Sequence, residues 1–117
     1  MRLTLLLDKK LLPGDGEYLF VPAGAEASVD DWQPCCSIDE FWNSIAPDID
    51  SLNKACDACL GIGDDEFIDW TRCNALSEWV EGRLSSDCPA LLVPFYSVMD
   101  EFAQRAVKLK TGVDVEL

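Results

Sequence analysis

A chain of 117 residues, 49% of them hydrophobic and including five Phe, four Trp and two Tyr, has the size and apolar content of one folded domain, which excludes an acidic disordered tail. Its formal charge is −13, with 22 Asp and Glu against nine Lys and Arg, and it has no histidine at all. That absence removes the commonest general base, the commonest zinc ligand and every Ser-His or Cys-His nucleophile.

The opening residues 3–7, Leu-Thr-Leu-Leu-Leu, read as a strand. The apolar run is too short for a signal-peptide core or a membrane span, so a cytoplasmic location and no membrane partner are expected. Residues 17–21 read as a second strand, with Pro13-Gly14-Asp15-Gly16 as the turn of a hairpin. Residues 22–34 carry neither helical nor strand periodicity and read as an ordered surface loop.

Ser37-Ile38-Asp39-Glu40 matches the S-x-x-E capping box, and Ile38, Phe41, Trp42 and Ile45 follow at helical spacing. Pro47 stops or kinks that helix. A restart then carries the stripe Ile49, Leu52, Cys56, Cys59 and Leu60, ending at Gly61. Asp64, Asp65 and Glu66 are placed at the start of a further helix, where acids favour the exposed N–H groups. Its stripe of Trp70, Cys73, Leu76, Val80 and Leu84 is directed at the core. Trp79 lies off that stripe, either in a second internal contact or as an interface aromatic.

The steps Leu92, Phe95, Met99, Phe102, Ala106 and Leu109 form the cleanest amphipathic helix, with Gly112 as its cap. Val113, Val115 and Leu117 alternate with Asp114 and Glu116, the pattern of a short C-terminal strand beside the N-terminal hairpin. Such a strand brings the chain ends together and, with them, gathers the six terminal bases, Arg2, Lys9, Lys10, Arg105, Lys108 and Lys110, near one end of the domain. The expected fold is α+β: an N-terminal hairpin, joined by this C-terminal strand, packed on three to four helices in one domain, residues 1–117.

Chemistry-bearing motifs are sparse. There is no phosphate-binding glycine loop, no nucleophile elbow and no EF-hand spacing, so no enzymatic role, catalytic residue or cofactor is expected. Six cysteines without a secretory segment read as reduced thiols. The sharper alternative is a zinc-binding regulatory domain using Cys35, Cys36, Cys56 and Cys59, but the single C-x-x-C lacks a second one at ribbon or finger spacing.

The remaining asset is charge. Residues 11–104 hold 19 acids against the three bases Lys54, Arg72 and Arg83, and residues 28–69 hold 11 acids with Lys54 as the only base. A field of this sign repels nucleic acid and anionic lipid and steers a basic protein surface inward. It also serves solubility. Aromatics are interleaved with the acids, and acids around an exposed aromatic suit Lys and Arg capture. The candidate contact residues are Asp30, Asp31 and Trp32, together with Asp64, Asp65, Glu66 and Asp69.

In overall character the chain resembles the immunity proteins of bacterial contact-dependent inhibition systems. The resemblance spans the whole chain, carried by residues 3–7 and 18–21, the acidic helices and Asp64-Asp65-Glu66-Phe67-Ile68-Asp69-Trp70. It implies a small cytoplasmic inhibitor that binds and neutralises a basic toxin, such as a nuclease domain. The rival readings are a DNA mimic that blocks a nucleic-acid-binding protein, the zinc-binding domain above, and an assembly subunit that self-associates.

Overall fold

A computed structural model describes residues 1–14 and 17–117. Four antiparallel strands, β1 (Arg2–Leu6), β2 (Val29–Trp32), β3 (Asp65–Asp69) and β4 (Gly112–Glu116), form one sheet in the order β2-β1-β4-β3. The helices are α1 (Ile38–Ile45), α2 (Ile49–Cys56), α3 (Trp70–Leu84) and α4 (Val93–Leu109). The chain is therefore α+β, with its N- and C-terminal strands paired at the centre of the sheet through Arg2↔Glu116 to Leu5↔Val113.

Directly paired residues share a face, so the register separates two sets of side chains. Leu3, Leu5, Ile68, Val113 and Val115 face inward and are fully buried with Leu76, Val80, Phe95, Met99 and Ala106. Arg2, Thr4, Asp31, Asp65, Asp114 and Glu116 fall on the other face. Gly112 is fixed there by sterics: a Cβ on it would lie 2.4 Å from the Phe67 ring and 2.7 Å from the Ile68 carbonyl oxygen.

The N-terminal hairpin is present, but its second strand is Val29–Trp32 rather than residues 17–21. Residues 17–22 form no ladder. Leu19 and Val21 lie against the outer sheet face while Tyr18 and Phe20 are exposed, so an extended segment resting on a sheet shows the same alternation as a strand within it. The expected turn includes residues 15 and 16, which lie outside the described residues.

Ser37 caps α1 as expected, accepting from the Glu40 N–H at 3.3 Å, and Pro47 falls in a 3-10 turn, Ala46–Asp48, before α2. The ends of α2 and α4 are left-handed non-glycine residues, Asp57 at φ 52° and Lys110 at φ 55°, so neither Gly61 nor Gly112 is the cap. Trp79 packs edge-on against Tyr96, at 5.5 Å between centroids, and donates to Ser51 Oγ, which makes it an internal contact. Beneath it, Tyr96 Oη and Arg83 Nε both donate to Asp48 Oδ2, at 2.6 and 2.9 Å.

Most of the terminal bases gather toward one end of the sheet, but Arg2 does not. Arg2 sits at the Glu116 end of the sheet, while Lys108 and Lys110 precede β4 at the opposite end, where Lys9 and Lys10 follow β1. Arg105 is drawn to Asp30 at 2.6 Å.

Candidate functional site: an acidic cleft on the edge of the sheet

Asp65 and Glu66 lie in β3 and not in a helix, and α3 begins only at Trp70. Pairing with β4 overrides the weak strand preference of the acids. The capping physics expected for this stretch operates at Asp69, whose carboxylate accepts from the Thr71 N–H at 2.8 Å and from the Thr71 hydroxyl. Partial burial pushes the Asp69 carboxyl upward, but the Thr71 and Arg72 contacts outweigh it and hold the group below its ordinary range.

Because β3 is an edge strand, its acids meet open space. Asp64, Asp65, Glu66 and Asp69, four of the seven expected contact residues, line one open cleft of about 780 Å³. Glu17 adds a fifth carboxylate, and Tyr18, Phe67 and Trp70 supply aromatic walls. Tyr18 is 76% exposed and Trp70 38%, so Trp70 faces this cleft rather than the core. The Lys110 ammonium lies 5.9 Å from the Trp70 ring centroid, a cation–π contact already made within the chain.

The cleft floor is tied to the C-terminus by backbone hydrogen bonds. Asp64 is fixed through backbone bonds in which Leu117 N–H donates to its carbonyl and Gly63 N–H donates to the Leu117 carbonyl, at 2.9 and 3.0 Å. Arg72 is the one guanidinium in the lining, and it is committed inward. It donates to the carbonyls of Asp57 and Phe67 at 2.9 and 2.7 Å, reaches Asp69 at 3.3 Å and lies 3.5 Å from Glu66. Glu66 also accepts the Cys59 N–H at 2.6 Å. Glu66 and Asp69 are thus partly spent on structure, and Glu17 accepts the Gly14 N–H at 3.1 Å; Glu17, Asp64 and Asp65 make no ion pair among the described residues.

Asp30, Asp31 and Trp32 lie on β2, the opposite edge, three strand spacings or about 14 Å away. The structure does not bring the two groups into one site as a whole; of their members only Asp31 and Asp65 line a common cleft, on the outer face of the sheet. Asp31 is bonded by Arg2 and by Thr4 Oγ1, the latter at 2.7 Å. Burial opposes ionisation there, but these donors keep the carboxyl below its usual range. Asp30 is held by Arg105, and Trp32 is partly buried with its ring 5.9 Å from that of Phe95. Trp32 therefore belongs to the edge of the core, not to a free loop.

Sequence reasoning missed Glu17, Tyr18 and the outward turn of Trp70, and also Asp114 and Glu116 on the outer face. The alternation from Val113 to Glu116 did place both acids on one side of a strand. Which residues join them depends on register, which brings in Asp31 from β2 and Asp65 from β3.

The C-x-x-C is not on one helix face. Cys56 is the last residue of α2 and is buried, with its thiol pushed up to about 11 by burial, whereas Cys59 is exposed beyond the helix end. No group of three or more Cys, Asp or Glu among the described residues has the arrangement of a metal site. No helix among them is long and apolar enough to cross a membrane. Comparisons with protein-family models, curated proteins and solved structures return no match.

Proposed function

We propose that this protein is a binding protein, an inhibitor of the immunity type, that neutralises a basic protein toxin such as a nuclease domain in the cytoplasm. The observation that carries this reading is the β3-edge cleft, where five carboxylates and three aromatic rings surround a single guanidinium that already has partners. Carboxylates on a fixed backbone are suited to Lys and Arg because little ordering remains to be done on binding. Acids on an edge strand also discourage strand-to-strand aggregation, and Glu66 and Asp69 serve the fold. The functional weight therefore falls on Glu17, Asp64 and Asp65, with Tyr18 and Trp70 as aromatic contacts.

The test compares two variants of equal charge. Asp64→Lys/Asp65→Lys reverses the cleft, while Asp39→Lys/Asp50→Lys reverses exposed helical acids. Each is immobilised and challenged with basic nuclease toxins encoded by the source genome, with binding measured by calorimetry and toxin activity assayed in parallel. Close interfacial charge pairs are worth about 1.5–7 kcal/mol each, so the cleft variant should lose at least about a hundredfold in affinity and fail to protect. The helical variant should bind within a few-fold of the parent. Equal losses would show that bulk charge, not this cleft, does the binding.

A further inference from the structure

A second and narrower cleft, about 350 Å³, opens on the outer face of the sheet. Asp114 of β4 lies in its lining and is nine-tenths buried, at 9% exposure. No described residue donates a hydrogen bond to its carboxyl, whose oxygens are not sealed in the interior but open into the cleft, where partial desolvation makes an added donor favourable. Asp65, Glu116, Asp31 and Glu26 line the same cleft, so the surroundings add negative charge instead of relieving it. The neighbouring cation, Arg2, also lines this cleft, but its Nε and a terminal nitrogen are both bonded to Asp31 and not to Asp114. Leu19, Val21 and Val29 supply apolar wall.

We propose that this outer-face cleft is a socket for one arginine side chain of a protein partner, with the Asp114 carboxylate accepting the guanidinium. A planar guanidinium fits a carboxylate with both oxygens free, and the aliphatic stem of arginine fits the walls formed by Leu19, Val21 and Val29. The neighbouring acids add attraction from Asp65 and Glu116, while Arg2 opposes it. Burial, reinforced by Asp65 and Glu116, pushes the Asp114 carboxyl up to about 7, so a bound guanidinium favours its ionised form and the socket fills more readily above neutral pH. Asp65 lines both clefts, so the socket extends the acidic surface from the β3 edge onto the sheet face. The proposal deepens the reading of a basic protein partner and rests on it for the source of the arginine.

The experiment uses the intact protein and Nα-acetyl-arginine amide as the probe, with Nα-acetyl-citrulline amide as the uncharged control of similar shape. Carboxyl-detected NMR follows Asp114 between pH 5.5 and 8.5. The expected result is that saturating probe lowers the Asp114 midpoint by a full pH unit or more, that Asp114→Asn weakens the probe at least tenfold, and that citrulline amide does neither. Asn matches Asp in shape and carries no buried charge, so the variant retains the fold. An unmoved Asp114, an unchanged affinity in Asp114→Asn, or equal binding of citrulline amide overturns the socket. Calcium ion competing as well as the arginine derivative would also overturn it, by showing an unselective cation sink. Because no partner protein enters this experiment, its failure is separate from failure of the cleft-reversal test.

Discussion

Replacing Asp114 by Asn should stabilise the protein, and more so at high pH. The folded carboxyl titrates at about 7 against an ordinary 3.8. Between those values the native state keeps a proton that the unfolded chain has released, so stability falls as pH rises, by about 1.4 kcal/mol per unit. Below the lower value both states are protonated and the effect vanishes; above about 7 the full penalty is present. From pH 5.5 to pH 8 only the span up to about 7 counts, which corresponds to a loss of about 2 kcal/mol carried by Asp114 alone. Asn at this position has no proton to bind. Urea unfolding followed by tryptophan fluorescence, at pH 5.5 and 8 and constant ionic strength, should show the advantage of Asp114→Asn over the parent growing by about 2 kcal/mol. Titrating groups that do not interact with Asp114 cancel in that difference. An advantage that is the same at both pH values, or that shrinks toward pH 8, would refute the account of Asp114 as a buried charge without donors.

Arg72→Met removes donors to the Asp57 and Phe67 carbonyls and the partner of Asp69, and thermal or urea unfolding should register a loss of about 2–3 kcal/mol. Gly112→Ala should cost about 1–3 kcal/mol, because the Phe67 ring can swing aside but the Ile68 carbonyl is part of the β3–β4 ladder; a change under about 0.5 kcal/mol would show that the strand yields. Tyr96→Phe leaves Asp48 with Arg83 as its remaining donor and should cost about 1–2 kcal/mol by urea unfolding, with Arg83→Lys on the same background adding a further loss.

Much of the helical layer was legible in the chain. The Ser37–Glu40 capping box, the break at Pro47 and the buried steps through Phe95, Met99, Phe102 and Ala106 are local signals, set by hydrogen bonding and periodicity within one or two turns. The C-terminal strand was legible for the same reason, since two-residue alternation over residues 113–117 needs no partner to be recognised. The α+β class followed from these elements taken together.

Strand identity outside that segment was decided by tertiary pairing. Val29-Asp30-Asp31-Trp32 has little strand preference, and it joins the sheet because β1 offers a ladder while Arg2, Thr4 and Arg105 supply partners for its acids. Residues 17–21 look more like a strand and yet lie across the sheet, because apolar alternation reports a half-buried extended chain and not its hydrogen-bond partner. The acids from Asp64 to Asp69 showed the same ambiguity. As a helix start they would be solvated caps; as an edge strand they line a cleft, and only the β3–β4 register decides between the two.

By itself, the sequence determined the acidic field, most of the helical layer and the closing strand, since charge and local periodicity are properties of residues close together in the chain. Only the tertiary structure decided that the seven expected contacts divide between opposite sheet edges, that Asp30 and Asp31 are paired internally, and that Asp114 lies nine-tenths buried without a donor. Those outcomes depend on which residues meet across the sheet, a long-range choice made by the packing of the whole chain.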